Sequence, residues 1–278
     1  MLLIRYFSIL KVMYDARIDQ LQKAIMEKDS AVVAFSGGVD SATLAYLAHN
    51  ALGGRVVAVT VKLLSYPERE LDNAKKIAAE IGIEHKIVDF DELKVPSIAA
   101  NTSRRCYYCK KEILSLLAAA KDEFGFNVIL EGSNASDTIV YRPGREALSE
   151  AGKLVYSPFV EHGVTKEEIR RLARHAGLSA ADKPPSPCLA SRFPYGDVLT
   201  RGSIGRVEIA ENFLSDMGFT ELRVRDHKGM ARIELCPSDF RELLINREKI
   251  LSYFKMIGFD YVTLDIEGFR SGSMDEIL

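Results

Sequence analysis

Residues 31–41 read Ala31-Val32-Val33-Ala34-Phe35-Ser36-Gly37-Gly38-Val39-Asp40-Ser41. The continuous apolar run Ala31 to Phe35 predicts a short strand buried on both faces. The glycines turn the chain sharply into a helical stretch, Ser41 to Asn50. A strand–turn–helix of this kind gathers backbone N–H groups and a helix N-terminus around one point, where a phosphate can sit. Ser36 and Ser41 add hydroxyl donors, and Gly37 and Gly38 allow close backbone approach. Asp40 would repel a phosphate, so its sensible role is to hold Mg²⁺ against one. No Lys follows the glycines as in G-x-x-x-x-G-K-[ST], and the spacing is not G-x-G-x-x-G.

Further strand and helix patterns follow in alternation. Val56 to Lys62 is a β-branched run, Tyr66 to Gly82 is helical with Pro67 near its first turn, and Ile83 to Asp89 is strand-like. Cys106 to Phe124 is helical, Asn127 to Glu131 is a strand, and Leu154 to Phe159 reads as another. Thr165 opens a helix with a capping box to Glu168, and that helix runs to His175 before Gly177. This alternation predicts an α/β fold, a doubly wound, mostly parallel sheet with helices on both faces.

The cluster Lys183-Pro184-Pro185-Ser186-Pro187 breaks the pattern and predicts a boundary, with one domain over 1–183 and a smaller α+β domain over 184–278. The latter reads as a helix from Gly202 to Met217, strands at Glu221–Arg225 and Ala231–Cys236, a helix from Ser238 to Met256 and a last strand at Tyr261–Ile266. Met217-Gly218-Phe219 is echoed by Ile257-Gly258-Phe259, each ahead of a strand; this is either a pair of related helix–strand units or two ordinary helix exits through glycine.

A net charge of -2 gives no bulk attraction to nucleic acid. The apolar start, Met1 to Val12, is interrupted by Arg5 and Lys11, lacks a small-residue cleavage site and is too short to span a bilayer. Met13 is an alternative start, and the tail Ser271 to Leu278 is expected to fray. A cytoplasmic location without a membrane partner is therefore expected, where grouped cysteines serve metal or redox chemistry more often than disulfides.

A second loop, Glu131-Gly132-Ser133-Asn134-Ala135-Ser136-Asp137, also follows a strand. Alone it reads as an Asn/Asp turn; beside the first motif it predicts a second loop on the same sheet edge. Cys106 and Cys109 are spaced C-x-x-C at the start of a helix, among Arg104, Arg105, Lys110 and Lys111, which favour thiolate. The pair suits a redox couple, half of a metal site, or two small semi-buried residues. Cys188 lies in Pro187-Cys188-Leu189-Ala190-Ser191-Arg192-Phe193-Pro194-Tyr195-Gly196. Three thiolates leave one metal position open; alternatively Cys188 gives up its own sulfur. Cys236 reads as a buried structural residue. His85, His162, His175 and His227 show no metal spacing.

Ser36-Gly37-Gly38-Val39-Asp40-Ser41 with Asn134 and Asp137 resembles the signature of the PP-loop superfamily, whose members use ATP to adenylylate a substrate and release pyrophosphate. With Arg105-Cys106-Tyr107-Tyr108-Cys109-Lys110 and the Cys188 segment, the chain resembles the LarE-type ATP-dependent sulfur transferases over nearly its whole length. The resemblance implies conversion of a pyridinium-3,5-dicarboxylate mononucleotide to thiocarboxylate, towards a nickel-pincer nucleotide. It implies ATP at Ser36, Gly37, Gly38, Asp40, Ser41, Asn134 and Asp137, with Mg²⁺ on Asp40. It further implies sulfur chemistry at Cys188, either as a sacrificed cysteine or with Cys106 and Cys109 around a [4Fe–4S] cluster, and a homohexamer. Arg192, four residues after Cys188, is a candidate to meet the anionic substrate and act with Asp40 and Cys188 in catalysis. Arg223 and Arg225 alternate onto one strand face as a fork for phosphate, and the resemblance adds Ser191 and Glu211 to that region. Two other enzyme classes share the ATP step: a tRNA thiolation enzyme and an ammonia-using, amide-forming synthetase. The acidic balance disfavours the first, and the second leaves three grouped cysteines without a reason.

Overall fold

The computed structural model of the 278-residue chain describes residues 16–139 and 143–270. The segment Met1–Val12, the alternative start Met13 and the tail Ser271–Leu278 lie outside the described residues. In chain order the elements are α1 (residues 16–26), β1 (Ala31–Ala34), α2 (Val39–Leu52), β2 (Val56–Leu63), α3 (Glu68–Ile81), β3 (His85–Phe90) and α4 (Pro96–Ala99). There follow α5 (Arg105–Phe124), β4 (Val128–Leu130), α6 (Pro143–Ala151), β5 (Val155–Tyr156), α7 (Pro158–Glu161) and α8 (Lys166–His175). The remainder is α9 (Arg201–Asp216), β6 (Leu222–His227), β7 (Met230–Leu235), α10 (Phe240–Ile245), α11 (Arg247–Met256) and β8 (Tyr261–Leu264).

Two compact units result. The first holds the chain up to Leu63, Glu68–Phe90 and Cys106–Ser186. The second holds Leu64–Pro67, Asp91–Arg105 and the chain from Pro187 on. The chain thus divides inside the proline cluster, while two segments from the 1–183 stretch belong to the later unit. Their hydrogen bonds explain why. Leu64 and Ser65 donate backbone N–H groups to Glu92, and Leu189 donates to the Ser65 carbonyl. Gly196 and Leu199 donate to the carbonyls of Asn101 and Ala99.

The first unit is an all-parallel sheet in the order β3-β2-β1-β4-β5. Its strands alternate faces. Ala31, Val33, Ala58, Val128 and Leu130 pack with α1, α2, α3 and α8, while Val32, Val57, Val59 and Ile129 pack with Leu117 and Ala120 of α5. Strand order reverses between β1 and β4, a topological switch point where such sheets bind ligands.

The second unit is a three-stranded sheet, β6-β7-β8, antiparallel then parallel, around a core that includes Val207, Leu214, Val224, Ile233 and Phe254. The glycine echo is structural. Gly218 and Gly258 exit α9 and α11 at φ of 102° and 98°. Phe219 and Phe259 donate to the carbonyls of Leu214 and Phe254 and are buried alike.

Three differences from the sequence pattern have local causes. The strand expected over Leu154–Phe159 shortens to Val155–Tyr156, because Pro158 starts α7. The helix expected over Ser238–Met256 divides at Asn246, whose side chain donates to the Glu242 carbonyl in competition with the backbone ladder. In the expected capping box Thr165 does accept from the Glu168 N–H, but the Glu168 carboxylate pairs with Arg17. Among the described residues no helix is long and apolar enough to cross a membrane.

Candidate active site

The glycine turn is fixed by sterics. Gly37 has φ of 64°, and a Cβ there would come within 2.7 Å of the Ala74 Cα on α3. Only glycine fits that approach. Gly38 is the N-cap residue of α2 and makes no side-chain cap, so the first-turn amides of α2 open toward the switch point. The Ser41 hydroxyl donates to the Gly38 carbonyl at 3.1 Å and accepts from the Ser36 N–H at 3.2 Å, closing the turn on itself. Lys183 braces it: its ammonium pairs with Glu70 at 2.6 Å and donates to the Gly37 carbonyl at 3.4 Å.

The loop after β4 lies against this turn. A Cβ on Gly132 would meet the Asp40 carbonyl carbon and the Ser41 nitrogen, each at 3.3 Å. Asn134 Nδ2 faces Asp40 Oδ1 at 3.5 Å, and the Asn134 N–H donates to Asp137 Oδ2 at 3.2 Å. Ser36, Gly37, Gly38, Asp40, Ser41, Asn134 and Asp137 are thus brought to one place. Burial pushes the Asp40 carboxyl above its ordinary range, against the pull of the Lys166 ammonium that it holds. Asp40 already carries one cation, a donor chemistry that suits Mg²⁺.

The cysteine helix joins the same sheet edge. Lys110, one residue after Cys109, pairs with Glu131 at the end of β4 at 3.1 Å. Burial raises the Glu131 carboxyl, but Lys110 and the Ser133 hydrogen bonds outweigh it and hold the group below its usual range. Tyr107 donates to Glu150 of α6 at 2.9 Å. Cys106 is exposed and Cys109 half-buried.

In the second unit Cys188 is half-buried and precedes one turn of 3₁₀ helix, Leu189–Arg192. Arg192 is only 2% exposed. Its Nε and Nη2 grip Glu211 at 2.8 and 2.9 Å, and its Nη1 donates to Ser191 Oγ and to the Pro187 carbonyl. The Ser191 hydroxyl donates to the Cys188 carbonyl at 2.8 Å. Arg225 is bound the same way: Nε and Nη2 to Glu234 at 2.9 Å each, Nη1 to the Ser191 carbonyl at 2.7 Å. Arg223 differs. Among the described residues it pairs with no carboxylate, donating only to the Leu222 carbonyl and lying over the Phe269 ring. Burial, with Arg192 and Arg225 close by, pushes its pKa from 12.5 down to about 10.

Cys106 and Cys109 belong to the first unit and Cys188 to the second. Among the described residues no three His, Cys, Asp or Glu side chains gather as a metal site. Cys236, at the end of β7, accepts from the Ser238 hydroxyl at 3.1 Å.

Sequence reading missed several residues. Lys166 and Lys183 reach the glycine turn from 126 and 146 residues away, so no local pattern marks them. Asn101, fully buried at φ of 51°, holds the Pro194 carbonyl, and Arg105 donates to Asn101 and to the Ala190 carbonyl. Glu234 carries only the signal of one of two charges, with Arg232, on a strand whose other residues are apolar.

A parallel sheet with a phosphate turn and an Asn-Asp loop flanking its switch point defines an ATP-using enzyme of the PP-loop class. The family model for queuosine biosynthesis protein QueC matches residues 30–115. An uncharacterized protein of Synechocystis is 38% identical over 96% of this chain and 99% of its own. The pyridinium-3,5-bisthiocarboxylic acid mononucleotide synthase of Lactiplantibacillus plantarum is 37% identical over 93% of both chains. The chain is 27% identical, over 63% of its length and 58% of the relative's, to a tRNA-specific 2-thiouridylase MnmA of Rickettsia felis. The chain belongs to the LarE-type ATP-dependent sulfur transferases.

Proposed function

We propose that this chain adenylylates a carboxylate of pyridinium-3,5-dicarboxylate mononucleotide and replaces the adenylate with sulfur. The observation that carries this reading is the ATP-type switch point of the first unit, where Asn134 faces Asp40; within the second unit, Arg223 is a half-buried cation that pairs with no carboxylate among the described residues. The likeness to the Lactiplantibacillus synthase supplies the substrate. A carboxylate oxygen bonds to the α-phosphorus of ATP as the bond to the β-bridging oxygen breaks, and pyrophosphate leaves with the electron pair. Asp40 would hold Mg²⁺, which offsets phosphate charge, and the α2 amides and Ser36 would hold the phosphates. Arg223 would take the substrate phosphate, while Arg192, Arg225, Glu211 and Ser191 set the shape of the loop beneath it.

Sulfur then attacks the acyl carbon and AMP departs. If Cys188 is the donor, loss of its Cα proton to a base and cleavage of its Cβ–S bond leave thiocarboxylate and dehydroalanine. If Cys106, Cys109 and Cys188 hold a [4Fe–4S] cluster, the cluster supplies renewable inorganic sulfide. Three cysteines, with basic residues beside the first two, fit such a group by donor chemistry. We place the enzyme in the cytoplasm as a homo-oligomer, a hexamer by family likeness, with a small-molecule substrate and no nucleic-acid or membrane partner.

The test is anaerobic reconstitution with iron and sulfide, followed by turnover with ATP and the dicarboxylate mononucleotide. Bound iron and more than one thiocarboxylate per chain mean catalytic delivery. No iron, at most one product per chain and dehydroalanine at 188 mean sacrifice. The MnmA likeness favours a second reading: pyrophosphate release with tRNA, and none with the mononucleotide, would replace the substrate assignment.

A further inference from the structure

Lys166 belongs to none of the motifs that define the site, yet two bonds deliver it there. Its own N–H donates to Ser136 Oγ at 3.1 Å, and the Val164 carbonyl accepts from the Ala135 N–H at 2.8 Å. Both anchors lie in the loop after β4, the loop that carries Asn134 and Asp137. The Lys166 ammonium ends on Asp40 Oδ2 at 2.5 Å, with 38% of the side chain exposed. The other cation that bears on Asp40, Arg170, is tied down by the carbonyls of Ala181 and Lys183 at 2.7 and 3.1 Å. Lys166 is therefore the movable charge at this carboxylate.

We propose that Lys166 is a catalytic residue that exchanges partners, standing in for a divalent cation on Asp40 while no nucleotide is bound and moving to the pyrophosphate portion of ATP when Mg²⁺ arrives. This rests on the reading of Asp40 as the Mg²⁺ ligand. An ammonium and Mg²⁺ repel each other on one carboxylate, so binding of the ion displaces the lysine. A partly exposed ion pair is weak, and a four-carbon stem swings easily, so the exchange meets little resistance. The nearest new anion is the polyphosphate that Mg²⁺ brings with it. As the α-phosphorus gains the substrate oxygen and loses the β-bridging oxygen, the electron pair passes to pyrophosphate, where the ammonium offsets it.

The experiment compares the full-length protein with Lys166→Met and Lys166→Arg. Mn²⁺ binding is measured by electron paramagnetic resonance without nucleotide, and pyrophosphate release is measured with ATP and the mononucleotide. Lys166→Met is expected to bind Mn²⁺ alone about tenfold more tightly than wild type and to release pyrophosphate about 10²-fold more slowly. Lys166→Arg keeps the charge and is expected to bind Mn²⁺ as weakly as wild type. Mn²⁺ binding no tighter in Lys166→Met, or pyrophosphate release at the wild-type rate, overturns the proposal. A wild-type protein that releases no pyrophosphate from this substrate sinks the reaction assigned above, while the Mn²⁺ comparison still decides the partner exchange.

Discussion

At the switch point of the five-stranded sheet, partly exposed lysines meet carboxylates through one bond each: Lys166 on Asp40, Lys110 on the buried Glu131. In the second unit, two arginines that bond to the loop after Cys188 are buried and gripped by carboxylates through two bonds each, Arg192 by Glu211 and Arg225 by Glu234. The first arrangement leaves charges ready to change partner when a nucleotide and its metal bind. The second uses its charges to hold a loop in shape, while Arg223, which pairs with no carboxylate among the described residues, is open to an anion. Residue type alone hides this difference, since both regions read as cations near a phosphate.

The sharpest break between the regions is chemical. Cys188→Ser is expected to abolish thiocarboxylate formation while pyrophosphate release continues, measured on the same sample. Asp40→Asn is expected to do the reverse to the first step, slowing pyrophosphate release about 10²- to 10³-fold with thermal unfolding little changed. If Asp40→Asn loses sulfur transfer but keeps normal pyrophosphate release, the division of labour drawn here is wrong.

The next effect separates two arginines on one strand. Arg225→Met leaves Glu234 buried without its bidentate partner, while Arg232 stays at 3.0 Å. With that partner kept, a cost of about 2–3 kcal/mol in denaturant unfolding is expected, below that of a buried charge left wholly unpaired. Arg223→Met removes a desolvated cation that lacks a carboxylate, so stability should hold or rise. That variant should instead raise the KM for the phosphorylated substrate roughly tenfold, the loss of one charge-assisted contact. Equal destabilisation by both substitutions would mean that Arg223 is structural too.

The extent to which sequence reveals this molecule follows from chain distance. The β1 strand, the Gly37 turn and α2 are local, and one unbroken run, residues 31–52, specifies them. The second loop is equally local, which is why Asn134 and Asp137 are legible as a partner motif. The strap Asp91–Arg105 is not: it is held by Asn101 and Arg105 reaching residues 190–194, and no period or cap in its own stretch signals that. Arg192 and Arg225 show the same limit. Their charge is visible in sequence, but the carboxylates that engage them lie 19 and 9 residues away, and only the fold brings those groups together.

The smallest effect concerns the back of the glycine turn. The Thr60 hydroxyl donates to the Phe35 carbonyl at 2.7 Å, so it accepts from His85 Nε2 at 2.8 Å, which places the proton of a neutral ring on that nitrogen. The ring also stands edge-on to Phe35. Burial, helped by Lys75, holds the His85 pKa below 6.5. The unfolded chain then binds the proton more readily, so stability is complete above the ordinary histidine pKa and falls as pH drops through it. His85→Gln keeps a donor for Thr60 without titrating. Its melting temperature should fall less between pH 7 and pH 5 than that of wild type, by about 2 °C. His227 in the other unit is also held low by burial, with Arg232 adding to it, and keeps its own share of the slope. An unchanged slope in His85→Gln with a flattened one in His227→Gln would locate the acid sensitivity in the second unit, beside Arg232 and Arg225.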